Sequence, residues 1–174
     1  MNIDSIAAGD LDALRFRIAF SVRYHERRQR WYDWWDRIAK VVALVGGAAT
    51  VAAVLGPGTP QLWVAAAITV TSALTLVFGF ADRARLHFDL KRRYCALEAR
   101  IIEAGAPDEA AIRKYEAEIS LMEGDEPPVL ATLVQLCQNE VAQARGQFED
   151  IHPVHPVKAF FSDLFDLPAV AKRR

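Results

Sequence analysis

In residues 11–40, which hold no Gly or Pro, the apolar residues Leu11, Leu14, Ile18 and Val22 recur at spacings of three and four. That period predicts a helix with one buried stripe, and Asp10, following Gly9, is the expected N-cap. No breaker separates Lys40 from Val41, so the helix is predicted to continue into residues 41–81, 41 consecutive positions without Asp, Glu, Lys, Arg or His. At 1.5 Å per residue this stretch is about 62 Å of helix, two crossings of a hydrocarbon layer of about 30 Å. Gly56-Pro57-Gly58-Thr59-Pro60 removes backbone donors and interrupts any helix there. The pattern therefore predicts a hairpin of two membrane spans, 38–55 and 62–81.

Beyond residue 81, Leu86, Leu90, Leu97 and Ile101, with Tyr94 between them, form a heptad-like seam that stops at Gly105-Ala106-Pro107. A hairpin returns the chain to its starting side, so residues 11–40 and 82–103 should pair as an antiparallel stalk. A third helix over 108–123 carries Ile112, Tyr115, Ile119 and Met122, and Gly124 ends it. Pro127-Pro128 is expected to open a fourth, with Leu130, Leu133, Val134, Cys137 and Val141 on one face. In the tail, Val157, Phe160, Phe161, Leu164 and Phe165 share one helical face, which should be buried against the stalk or a neighbouring subunit. No stretch alternates like a strand. The expected fold is all-α: an incoming cytoplasmic helix (1–37), a transmembrane hairpin (38–81), an outgoing cytoplasmic helix (82–104) and a cytoplasmic helical region with an amphipathic tail (105–174).

Charge sharpens this picture. The net charge of -1 conceals eight Lys or Arg in residues 1–40, six in 82–100, and seven against thirteen Asp or Glu in 101–174. Basic residues crowd both flanks of the apolar stretch and are missing from the 56–61 loop, which places both termini in the cytoplasm. A nucleic-acid protein would carry a continuous basic face instead, so no nucleic-acid partner is expected. The first 30 residues lack the apolar core of a cleaved signal. Cys95 and Cys137 lie far apart with no ligand spacing and read as reduced, packed thiols.

Four groups of side chains are singled out. Trp31, Trp34 and Trp35 precede the first span and Trp63 opens the second, the places of interfacial anchors. Gly46, Gly47, Thr50 and Ala53, with Ala43, put small residues along one side of the first span, and Thr69, Ser72 and Thr75 put hydroxyls on the second; both suit close helix packing or the lining of a pore. Arg23, Arg27 and Arg28, with Arg92 and Arg93 across the hairpin, could contact an anionic ligand, though flanking arginines more commonly fix the cytoplasmic side and touch lipid. Phe160, Phe161 and Phe165 are candidates for a subunit interface. His152 and His155 are each followed by Pro, which spoils a helical ligand face, so no metal is expected. No catalytic or cofactor motif is found: G-x-S-x-G, Walker A, H-E-x-x-H and Gly-rich dinucleotide turns are all missing, and the chain does not read as an enzyme.

This layout resembles the SLATT domain, the SMODS and SLOG-associating two-transmembrane effector family. The likeness rests on Arg23-Tyr24-His25-Glu26-Arg27-Arg28-Gln29-Arg30-Trp31-Tyr32 before the first span, the short interspan loop, and Ala81-Asp82-Arg83-Ala84-Arg85-Leu86-His87 leading to Tyr94 and Leu97-Glu98. It covers about residues 10–145. The resemblance implies an effector of bacterial conflict systems, located in the inner membrane and thought to damage it when a nucleotide-signalling or sensor partner triggers it. No sensor domain is fused here. The leading reading is thus a homo-oligomeric two-span membrane effector, since two spans alone cannot enclose an aqueous path. The alternative is a membrane-anchored helical scaffold or adaptor that binds a partner protein without forming a pore.

Overall fold

The computed structural model describes residues 3–55 and 61–163, with side chains for residues 10–48, 63, 66–149, 151–159 and 161–163. Among the described residues the fold is all-helical: α1 (Ile3–Leu55), α2 (Gln61–Phe78), α3 (Phe80–Ala104), α4 (Glu109–Gly124), α5 (Ala131–Ala144), a short 3-10 turn (Phe148–Asp150) and α6 (Pro156–Phe161). The expected break at Gly56–Pro60, the side chains of Thr50, Ala53 and Phe160, and Leu164 and Phe165 all lie outside the described residues. Two compact units result, one drawn from Met1–Arg27 and His87–Arg174, the other from Arg28–Leu86.

In the first unit the core is formed by Leu14 and Ile18 of α1, Tyr94, Leu97 and Ile101 of α3, and Ile119 and Met122 of α4. Each helix contributes the side chains that its three-and-four spacing predicts. A second cluster, Tyr24 with Leu133 and Cys137, docks α5 onto α1. The boundaries follow local chemistry: Gly105 ends α3 with φ +70°, and Asp108 caps α4 by accepting from the Ala111 N–H at 2.7 Å.

Several boundaries differ from the sequence expectation. Asp10 does not start α1, which runs from Ile3 straight through Gly9; a glycine inside a helix costs only about 1 kcal/mol, too little to stop one. Helix α5 begins at Ala131 and not at Pro127-Pro128, because Leu130 is extended (φ -86°, ψ 109°) while its N–H donates to Tyr24 Oη at 3.2 Å. The seam of α3 uses His87 where Leu86 was expected: His87 is buried and Leu86 exposed. Both are compatible with Leu90, one at three residues and one at four. Cys95 is exposed, not packed, since it sits on the opposite side of α3 from Tyr94 and Leu97.

In the second unit, Arg28, Tyr32, Ala39 and Ala84 are buried, and Arg28 lies over the rings of Trp31 (5.2 Å) and Tyr32 (4.6 Å). Gly79, at φ +54°, separates α2 from α3, a conformation that a residue with a Cβ resists by about 1–2 kcal/mol. The backbone bonds Gly79 N to Thr75 O and Arg83 N to Gly79 O, both 3.0 Å, continue the helical pattern on either side. Among the described residues one helical stretch, within Ala66–Ala104, is long and apolar enough to cross a membrane, and none of its most apolar window is buried.

Candidate functional site

The first unit holds a chain of buried polar groups between its apolar layers. His25 of α1 and His87 of α3 are both almost wholly buried, and their Nδ1 atoms are 2.9 Å apart. The other nitrogen of His25, Nε2, lies 3.0 Å from Glu126 Oε1, in the turn between α4 and α5. Tyr94 of α3 donates its hydroxyl to the same oxygen at 2.7 Å, and Ser21 of α1 bonds to Tyr94 in turn. The rings stack as well: His25 and Tyr94 are 5.7 Å apart and 21° from parallel. Burial, followed by the Glu126 contact, pushes the Tyr94 phenol well above its ordinary value.

This geometry fixes protons. A carboxylate only accepts, so His25 Nε2 carries hydrogen. A bond between two Nδ1 atoms needs one donor and one acceptor, so a neutral pair has His87 Nδ1–H donating to His25 Nδ1. A proton on both Nδ1 atoms removes the bond and sets two N–H donors against each other. The chain therefore joins α1, α3 and the α4–α5 turn through one shared proton arrangement. No group of three or more His, Cys, Asp or Glu among the described residues is placed to hold a metal.

A cleft of about 400 Å³ opens beside this chain, lined by Phe20, Ser21, Tyr24, His25, Glu126 and Val134 among others. In the second unit a cleft of about 450 Å³ is lined by Ala39 and Ala43 of α1 and by Thr71, Ser72 and Thr75 of α2. The Thr75 hydroxyl donates back to Thr71 O at 2.8 Å, so part of its polarity is already satisfied within the helix.

The residues singled out from sequence are distributed as follows. Ser72 and Thr75 share that cleft, while Thr69 is exposed and does not line it. Gly46 and Gly47 are half-buried, and a Cβ added at Gly47 would meet nothing within 4 Å. Trp31, Trp34 and Trp35 pack edge to face in one cluster, with Trp35 also stacked on Phe80, whereas Trp63 is exposed on α2. Arg23 and Arg27 pair with Glu140 at 3.8 and 3.4 Å, Arg27 also with Asp163 at 3.5 Å, and Arg93 with Asp125 at 2.5 Å. Arg28 is buried and donates to Tyr32. Of the five arginines, Arg92 alone is exposed with no such partner among the described residues. On α6, Val157 and Phe161 are exposed in the single chain. His155 caps α6 by accepting from Val157 N–H, and His152 is tied to Asn139 through its backbone, so the two histidines have structural uses.

Sequence reasoning missed the His25–His87 pair. The signal was present: a histidine stands in the apolar stripe of each of two helices expected to pair, and a buried polar group needs a partner. No protein-family model, curated protein or solved structure matches the chain.

Proposed function

We propose that this chain is a two-span protein of the bacterial inner membrane, with both termini cytoplasmic, that works as a homo-oligomer and permeabilises the membrane when triggered through its cytoplasmic helices. The observation that carries this reading is the outward-facing apolar surface of the second unit. Leu44 is 74% exposed, Trp63 81% and Leu76 86%, on segments without one charged side chain from Val41 to Ala81. In water such a surface is an aggregation site; in lipid it is matched. Arginines flanking the stretch and the Trp31–Trp34–Trp35 cluster at its edge suit a cytoplasmic interface.

The hydroxyl-lined cleft beside Ala39 and Ala43, and the open side of Gly47, supply surfaces on which further copies could pack. One hairpin cannot surround water, so conduction needs several. The SLATT-like layout supports a role in conflict or antiphage defence, triggered by a nucleotide-signalling or sensor partner. A second reading, a membrane-anchored scaffold, is favoured by the exposed Val157 and Phe161 on α6, which offer an apolar face to a partner protein.

Reconstitution into dye-loaded vesicles separates the two. The effector reading expects release that rises steeply with protein-to-lipid ratio and responds to a nucleotide or sensor protein. Stable insertion without release at any ratio overturns it and leaves the scaffold. A cysteine at Thr59 should react with an impermeant reagent in spheroplasts, and protection there would overturn the topology.

A further inference from the structure

The cleft beside the buried polar chain has a chemistry opposite to that of the arginine-rich helix next to it. Its lining includes two carboxylates, Glu123 and Glu126, and no Lys or Arg. Glu123 is already matched, since both of its oxygens receive nitrogens of Arg17. Glu126 is matched on one side only. Its Oε1 accepts from both Tyr94 and His25, while among the described residues nothing donates to Oε2. The Glu126 side chain is 12% exposed, and its second oxygen, with no protein donor among those residues, is accessible from the cleft that Glu126 lines, where it can accept from an incoming charged donor.

The remaining lining is apolar and aromatic: Phe20, Tyr24, the Pro127-Pro128 turn, Val129 and Val134. A volume of about 400 Å³ lies within the range of small-molecule sites, roughly 300–1,000 Å³. We propose that this cleft binds a small organic cation, an ammonium or amidinium on an apolar body, whose N–H donates to Glu126 Oε2 while the body lies against Phe20, Tyr24 and Val134. Aromatic faces add attraction for such a cation. Phosphates and nucleotides are disfavoured, because the cleft offers them two carboxylates and no cationic donor. A ligand at Glu126 also acts on His25, which shares that carboxylate, and through the Nδ1 bond on His87 of α3. Occupancy of the cleft does not depend on whether the chain permeabilises membranes.

The test is calorimetric titration of the full-length protein in detergent with phenethylammonium, and with its neutral and anionic counterparts 2-phenylethanol and phenylacetate. Phenethylammonium should bind saturably and at least about tenfold more tightly than 2-phenylethanol. Glu126→Gln should erase that preference. Because Glu126 also holds Tyr94 and His25, a second variant is needed: Val129→Trp fills the cleft from an exposed position and should abolish binding while the melting temperature stays near that of the parent. Equal binding of phenylacetate, binding that survives Val129→Trp in a folded protein, or no saturable binding of phenethylammonium up to about 10 mM would overturn the proposal.

Discussion

The two units differ in the polar groups they bring inside and the apolar groups they leave outside. In the first, polar groups are brought inside and completed: Ser21, His25, His87 and Tyr94 are all nearly inaccessible, and His25 and Tyr94 converge on one Glu126 oxygen. In the second, large apolar groups stand outside, with Val41, Leu44, Val45, Val70, Leu76 and Val77 all more than half exposed. The first arrangement suits water, because unmatched polar groups are costly inside and charged ones are cheap outside. The second suits a solvent that is itself apolar, where outward leucines cost nothing. On the membrane reading proposed above the two units meet different solvents, and substitutions should show it.

The largest contrast is in what a truncated leucine costs. Leu97, fully buried among Leu14, Ile18, Tyr94 and Ile101, should lose about 2–5 kcal/mol as Leu97→Ala. Leu76→Ala, at an exposed position, should stay within about 0.5 kcal/mol. Denaturant unfolding in detergent, followed by a probe in each unit, measures both. A large loss at Leu76 would show that α2 is packed against other copies.

The same comparison predicts a reversal for charge. Val70→Arg puts a cation near the middle of α2 and should cost about 2.5–3.5 kcal/mol of insertion if that helix lies in lipid. Leu121→Arg, on the exposed face of α4, should be close to neutral. Alkaline extraction of membranes reads the difference, and equal retention of both variants would remove the membrane reading of α2.

Much of the first unit was legible in sequence because glycine and helical period are strong local signals. Gly105, Gly124 and the stripe Ile112–Ile119–Met122 all do what their spacing implies. What was not legible depended on a distant partner. Leu86 and His87 are equally in phase with Leu90, and only His25 across the interface decides between them. Likewise, nothing in Glu123-Gly-Asp-Glu126 announces that the last carboxylate meets Tyr94 and His25, about 30 and 100 positions earlier in the chain. In the second unit the apolar run was plain, while the positive φ of Gly79 was hidden within it.

The His25–His87 bond gives a smaller effect. Replacing either partner by Leu leaves a buried nitrogen unmatched and should cost about 1–3 kcal/mol. Replacing both removes the unmatched nitrogen at that bond, so His25→Leu with His87→Leu should cost less than the sum of the single changes. Strict additivity in thermal melting would mean that the two rings are adjacent without being coupled.

The smallest effect at neutral pH is carried by the thiols, and it grows with alkalinity. Cys137 is fully buried between Tyr24 and Leu133, and burial, reinforced by Glu140, pushes its thiol up to about 12 from an ordinary value near 9. Cys95 is exposed on α3. At pH 8 iodoacetamide should therefore modify Cys95 and leave Cys137 intact in folded protein. The sign of the stability effect follows from proton counting: above pH 9 the unfolded thiol has lost its proton while the folded one keeps it until about 12, so the folded state binds more protons and raising the pH favours unfolding. The contribution of this thiol is complete below about pH 9 and is lost progressively between 9 and 12. Cys137→Ala should lower stability at pH 8 by leaving a small cavity, yet flatten the alkaline decline relative to the parent. An alkaline slope unchanged by that substitution would place Cys137 in contact with water, and with it the α1–α5 contact at Tyr24.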